Sequence, residues 1–95
     1  MEVKPDIETF AKIKVLGIGG SGGSAINRMM QQKIRGIEFV AVNTDAQALH
    51  HNVAPVKLHI GKTTTRGLGA GMDPDIGRKA AEEGQDEIRE LLKDS

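Results

Sequence analysis

A cluster of glycines at residues 17–23 constrains this chain more than any other feature. The segment holds five glycines in seven positions, between the apolar run 13–18 and a helical pattern at 26–34. Glycine lets the backbone approach another group closely and adopt positive φ without a steric penalty. A glycine-rich turn that leads into a helix directs free N–H groups and the positive end of the helix dipole at one point. The sequence therefore predicts a phosphate-binding turn and, with it, a nucleotide-binding protein.

The apolar pattern predicts three β-strands joined by helices. Segments 13–18 and 39–42 are nearly continuous apolar runs, typical of strands buried on both faces, whereas 56–60 alternates and indicates a sheet edge. The predicted helices are 26–34 (ended by Gly36), 46–49 (capped by Asp45) and a tail at 74–92 (capped by Asp73 and broken near Gly84). Segment 61–73 has no periodicity and is predicted to be a long functional loop.

This order of elements predicts an α/β fold with parallel strands and crossover helices. Right-handed crossovers place the strands in the order 3-2-1, one half of a doubly wound nucleotide fold. In such sheets the ligand binds beyond the carboxyl ends of the strands. The glycine or polar turns at 17–24, 43–45 and 67–73 all follow strands. We therefore expect the three turns to converge on one ligand.

Composition excludes several other functions. Basic and acidic residues number 13 each and only two residues are aromatic, so a nucleic acid or a charged membrane surface is not an expected partner. Cysteine is absent, which excludes disulfides and thiolate metal sites and agrees with a cytosolic protein. No apolar run approaches the roughly 20 residues that span a bilayer, so direct membrane insertion is not expected. His50, His51 and His59 lack a completing acid, and no metal site is predicted.

The glycine spacing by itself leaves the nucleotide open. Residues 17–22 fit the G-x-G-x-x-G dinucleotide fingerprint, but the second strand ends in Asn43, where that fingerprint places an acid for the ribose. No lysine follows the glycines, so the Walker pattern is absent. Phosphate would be held by backbone N–H groups, helped by the hydroxyls of Ser21 and Ser24.

Three segments of the chain resemble the tubulin/FtsZ family of GTPases. These segments are 14–29 with the glycine cluster, 38–49 with Asn-Thr-Asp, and 65–83 with a second group of glycines. Their order and spacing match the family over most of residues 12–93. The resemblance implies a Rossmann-like GTPase domain, divided here into a polar N-terminal arm at 1–12 and an incomplete GTP-binding domain at 13–95.

The resemblance also implies roles for individual residues. Gly20 to Ser24 would surround the α- and β-phosphates of GTP or GDP, and Asn43 to Asp45 would line the site beside a Mg²⁺ ion held mainly through the nucleotide. Ala70 and Gly71 would offer N–H groups to the γ-phosphate and so distinguish GTP from GDP. The expected nucleotide-binding residues are Gly19, Gly20, Ser21, Gly22, Gly23, Ser24, Asn43, Thr44, Asp45, Ala70, Gly71 and Met72.

The chain departs from the family pattern at a few of these positions. Ser21 stands where glycine is usual and Ser24 where asparagine is usual, although serine can still donate a hydrogen bond. Met72-Asp73 replaces a small residue followed by asparagine. The Asp73 charge is unfavourable near a γ-phosphate unless Mg²⁺ or Arg66 compensates.

The implied function is that of a GTP-binding cell-division protein of the cytoplasm, located at the division site. It would form head-to-tail filaments, hydrolyse GTP between subunits and contact other division proteins. The complete protein is expected to continue past Ser95 into a second glycine-rich signature and an acidic catalytic loop, so no catalytic residue is predicted in this chain.

Two alternatives stay open at the level of sequence. The chain could be a non-catalytic fragment or assembly module that binds nucleotide weakly or not at all, or a dinucleotide-binding domain, which Asn43 disfavours. Strand 13–18 would present an unpaired apolar edge in an isolated chain. The sequence therefore predicts marginal stability and self-association.

Overall fold

The computed structural model describes residues 12–95, so nearly all of the polar arm predicted at 1–12 lies outside the described residues. This part of the chain forms three strands and five helices. The elements are β1 Ile13–Ile18, α1 Gly19–Gln31, β2 Ile37–Asn43, α2 Ala46–His50, β3 Val56–His59, α3 Lys62–Thr65, α4 Pro74–Glu83 and α5 Gln85–Leu92. Within residues 12–95, no helix is long and apolar enough to cross a membrane.

The three described strands form one parallel sheet in the order β1-β2-β3. Val15 of β1 lies opposite Phe39 of β2, and Val42 of β2 lies opposite Leu58 of β3. Both connections carry helices, as parallel strands require. The predicted α/β class and the predicted strand order 3-2-1 are confirmed.

Strand β2 separates two apolar cores, one on each face of the sheet. Phe39 and Ala41 point to one core, and Val40 and Val42 point to the other, as the two-residue period of a strand dictates. The first core also contains Ile26, Leu49 and Ala54, and the second contains Ile60 and Ala80. All four of these β2 side chains are at most 4% exposed, so the prediction of a strand buried on both faces is confirmed for β2.

Strand β1 is less buried than its sequence predicts. Ile13 is 54% exposed and Ile18 is 65% exposed, and only Gly17 of this strand is buried. The cause is position, because β1 is an edge strand of the sheet that residues 12–95 form. The prediction of burial on both faces therefore holds in part for β1: Val15 packs against the first core and Leu16 against the second, but both side chains are only partly buried.

Helix α1 is shifted toward the N-terminus relative to its prediction. It begins at Gly19, so the glycine cluster forms the first turns of the helix and not a separate loop before it. It ends at Gln31, five residues before Gly36, and Ile34 lies outside it with 41% exposure. Lys33 has a φ of 55°, a left-handed conformation that ends the helix before the glycine predicted to do so.

The long segment before α4 is only partly a loop. Lys62–Thr65 forms the short helix α3, which the sequence pattern does not show. The predicted cap of α4 is confirmed, because the Asp73 carboxylate accepts a hydrogen bond from the Asp75 N–H at 2.9 Å. The predicted break is also confirmed at Gly84, where an added Cβ would lie 2.6 Å from the side chain of Ile60.

Candidate functional site

Two glycines allow β1 and α1 to pack backbone against backbone. A Cβ on Gly17 would lie 2.3 Å from the Gly22 carbonyl oxygen, and a Cβ on Gly22 would lie 2.7 Å from the Gly17 carbonyl carbon. No side chain fits at either position, because real Cβ atoms do not approach other atoms this closely. Gly17 and Gly22 therefore place the start of α1 at the carboxyl end of β1.

A cleft of about 170 Å³ opens at this end of the sheet, between the start of α1 and the end of β2. Gly19 and Gly20 line it, and a Cβ on either residue would meet no described atom within 4 Å. The full lining is Gly17, Gly19, Gly20, Gly23, Ser24, Asn27, Ala41, Val42, Asn43, Ala48, Leu49, His51 and Asn52. Gly20 therefore contributes backbone to the cleft, and the space where its side chain would stand is open.

The start of α1 has the electrostatics of an anion site. Ile18 occupies the N-cap position of α1, and its side chain makes no hydrogen bond to the first N–H groups of the helix. These N–H groups have no carbonyl partner inside the helix, and the dipole of a 13-residue helix places partial positive charge beside them. The arrangement favours a phosphate group bound through backbone N–H donors.

The Asn43–Asp45 loop is ordered by its own side chains. Asn43 Oδ1 accepts from the N–H groups of Thr44 (2.7 Å) and Asp45 (3.0 Å). Asp45 Oδ1 accepts from the N–H groups of Gln47 (2.9 Å) and Ala48 (3.1 Å), which confirms the predicted cap of α2. Asn43 lines the cleft, whereas Thr44 and Asp45 are not among its lining residues.

The third predicted loop contacts the second. The Ala46 N–H donates to the Gly67 carbonyl at 3.2 Å, and Asp45 forms an isolated antiparallel bridge with Leu68. A Cβ on Gly69 would lie 3.5 Å from the Asp45 Cβ, in ordinary contact. The second turn thus meets the first at the cleft, through Asn43, and meets the third through Asp45 and Ala46, but no residue of 67–73 lines the cleft.

Seven of the twelve predicted site residues do not line the cleft. Met72 is 99% exposed with a φ of 62°. The predicted residues outside the lining are Ser21, Gly22, Thr44, Asp45, Ala70, Gly71 and Met72. Those within it are Gly19, Gly20, Gly23, Ser24 and Asn43.

Two asparagines that the sequence analysis missed fasten α1 to the loop after α2. Asn52 Nδ2 donates to the Gly23 carbonyl at 3.1 Å, and Asn52 Oδ1 accepts from the Ala54 N–H at 2.8 Å. Asn27 Oδ1 accepts from the Val53 N–H at 3.2 Å. Both asparagines line the cleft. No spacing relates residue 27 to residue 52, so only the tertiary fold could reveal this pair.

The described residues do not form a complete cation site of their own. Within residues 12–95, no group of three or more histidine, cysteine, aspartate or glutamate side chains converges. Asp45 uses Oδ1 to cap α2, and His51 and His59 each bond a backbone carbonyl through a ring nitrogen.

A parallel α/β sheet with a glycine-rich helix start at its carboxyl edge defines the class of nucleotide-binding domains. Within that class, a family model described as "Tubulin/FtsZ family, GTPase domain" matches residues 12–95. The chain belongs to the tubulin/FtsZ family.

Solved structures agree with this assignment. An FtsZ mutant of M. jannaschii matches with 49% identity and a TM-score of 0.86 over 93% of this chain, and an empty FtsZ dimer of M. jannaschii matches with 42% identity and a TM-score of 0.84 over 98%. CetZ2 from Haloferax volcanii, in a GTPγS-bound protofilament, matches with 28% identity and a TM-score of 0.72 over 87%. The chain covers 26%, 29% and 26% of these structures, respectively.

Proposed function

We propose that this chain supplies the phosphate-binding part of a GTP-binding, FtsZ-like protein that forms filaments and hydrolyses GTP between subunits. The observation that carries the proposal is the start of α1, where uncapped N–H groups and the open backbone of Gly19 and Gly20 face the cleft. Membership of a family of GTPase domains supports guanine nucleotide as the ligand.

Phosphate binding would use backbone groups and the helix dipole in place of a lysine. The first-turn N–H groups of α1 would hold the α- and β-phosphates, with the Ser24 hydroxyl as a further donor at the cleft wall. Asn43 borders the same space, and the Gly67–Met72 loop lies beyond Asp45, where it would receive the γ-phosphate. Contact with that loop would distinguish GTP from GDP.

Hydrolysis is proposed for the assembled protein and not for this chain alone. Mg²⁺ bound through the phosphates would neutralise charge on the transferred group. A protofilament and a dimer among the matched structures support assembly of subunits head to tail. The same proposal places the protein in the cytoplasm at the division site, in contact with other division proteins.

The proposal is tested by thermal unfolding of the chain with GDP, GTP, NAD or no ligand, at equal Mg²⁺. Guanine nucleotide at 100 times its Kd adds about 2.7 kcal/mol to the free energy of unfolding, whereas NAD adds none. Gly20→Ala places a methyl group in the cleft and weakens binding about tenfold, equivalent to about 1.4 kcal/mol. Gly77→Ala is the matched control, because its added Cβ also meets no described atom and lies in α4, away from the cleft lining.

A second candidate is an assembly module that binds nucleotide weakly or not at all. The position of β1 at the edge of the sheet that residues 12–95 form favours it, because a strand edge without a neighbour is a surface for association. Cooperative melting without a shift by any nucleotide would support this candidate and contradict the first. A shift with NAD but not with GDP would instead support the dinucleotide-binding alternative.

A further inference from the structure

A carboxylate from α4 holds the short helix α3 in place. Glu83 accepts hydrogen bonds from the backbone N–H groups of Thr63 at 3.0 Å and Thr64 at 3.1 Å, and from the Thr64 hydroxyl at 2.8 Å. The two N–H groups belong to the first turn of α3, which has no carbonyl partners for them inside the helix. These bonds, the Thr63 N–H foremost, lower the pKa of Glu83, so the carboxylate is the form that α3 binds.

Helix α3 in turn holds the loop that follows it. The Thr65 carbonyl accepts from the Leu68 N–H at 3.0 Å, and the Thr65 hydroxyl oxygen accepts from the Gly67 N–H at 3.2 Å. The same hydroxyl donates to the Thr44 carbonyl at 3.4 Å, and Thr65 is 8% exposed. The end of α3 is therefore the point where the third loop is joined to the second, beside Asp45.

The backbone of this loop needs such support. Arg66 and Met72 have φ values of 56° and 62°, a left-handed conformation that non-glycine residues rarely adopt. Conformations of this kind persist where the surrounding structure holds them. The hydrogen bonds of α3 and Thr65 provide that restraint at the start of the loop.

We propose that Glu83 is a positioning residue that holds, through α3, the loop 66–72 in the conformation that receives the terminal phosphate of GTP. The inference rests on the proposed function, which assigns this loop to the γ-phosphate. Glu83 does not line the cleft, and its hydrogen bonds within residues 12–95 go to α3 and not to α1. Loss of its carboxylate therefore weakens binding of GTP and leaves binding of GDP unchanged.

The first test is amide hydrogen exchange in the Glu83→Gln variant of this chain. Glutamine keeps the size of the side chain but has one acceptor oxygen for three donors, so hydrogen bonds between α3 and α4 are lost. We expect the Leu68 and Ala46 amides to exchange about tenfold faster, with the β2 amides unchanged. Glu82→Gln is the matched control, because Glu82 is the neighbouring glutamate and contacts Arg78 on the exposed face of α4.

The second test compares nucleotide affinities in the same two variants. We expect Glu83→Gln to weaken GTP binding about threefold to tenfold and to change GDP binding less than twofold, and Glu82→Gln to change neither. Unchanged exchange in the loop, or a parallel loss of GTP and GDP binding, would overturn the inference. If the unmodified chain binds neither nucleotide, the proposed function fails and the nucleotide part of the inference fails with it. The exchange data still decide whether Glu83 holds the loop.

Discussion

At the scale of single residues, glycines of one cluster serve different purposes. Gly22 makes room for the β1 backbone, whereas Gly20 faces the cleft. We expect Gly22→Ala to destabilise the fold by about 1–3 kcal/mol, because its Cβ would lie 2.7 Å from the Gly17 backbone, which cannot move aside as a flexible side chain could. Gly77→Ala, in the open interior of α4, should instead stabilise by about 0.5–1 kcal/mol. Urea denaturation measures both, and a Gly22→Ala variant as stable as the parent would contradict the close packing of β1 on α1.

The cleft also depends on residues whose partners are distant in sequence. The glycine cluster and Asn43 could be predicted as site residues, because each directly follows or ends a predicted strand. Asn52 could not be predicted, since its partner Gly23 is 29 residues away and no local pattern joins them. When a side chain acts by bonding a backbone carbonyl of another element, this role produces no periodic pattern in the sequence.

At the scale of elements, the local caps were predictable and their contribution can be measured. Asp45 accepts from the N–H groups of Gln47 and Ala48 and so stabilises the start of α2. We expect Asp45→Ala to lower the free energy of unfolding by about 1 kcal/mol and Asp45→Asn to lower it by much less, because asparagine caps equally well. Urea denaturation of both variants provides the comparison. An equal loss in the two variants would show that the charge of Asp45, and not its cap, stabilises the loop.

Helix α3 shows why other elements could not be predicted. Its sequence, Lys-Thr-Thr-Thr, has three β-branched residues and no apolar stripe, so neither propensity nor periodicity indicates a helix. Its N–H groups are bound by Glu83, some 20 residues further along the chain. The sequence also places the start of α1 too late, because its glycines predict a turn, whereas Gly22 packs against the Gly17 backbone within the first turns of the helix.

The contact between α3 and α4 should depend on pH. Hydrogen bonds from the Thr63 and Thr64 backbones and the Thr64 hydroxyl, with a smaller contribution from the charge of His59, hold the pKa of Glu83 below its ordinary value of 4.5. A carboxyl group with a lowered pKa stabilises the folded state above its unfolded pKa, and this stabilisation is lost as pH falls through the folded pKa. We therefore expect the amide NMR signals of Thr63 and Thr64 to titrate below pH 4.5. In Glu83→Gln they should not titrate, and an unchanged titration there would assign it to another group.

At the scale of the whole molecule, the fold class and strand order followed from the chain's own pattern, whereas the extent to which β1 is buried followed only in part. The sequence pattern indicates how apolar a strand is, and β1 and β2 are both apolar by this measure. Burial also depends on what lies beside the strand, and within residues 12–95 β1 has a neighbour on one side only. The sequence of β1 is thus that of an interior strand, in a position where this part of the chain leaves one edge open.

That open edge predicts self-association of the chain. Within residues 12–95 no strand pairs with this edge, so its N–H and C=O groups, with Ile13 at 54% exposure, can pair with a strand of a second copy. We expect sedimentation velocity to show mass that increases with concentration. Ile13→Lys should shift the chain toward monomer, because a charge at a strand edge opposes pairing. Val53→Lys, at a similarly exposed apolar residue outside the strands, should leave association unchanged. A cooperatively melting monomer at all concentrations would contradict this prediction and would show that the three described strands are sufficient without a partner at β1.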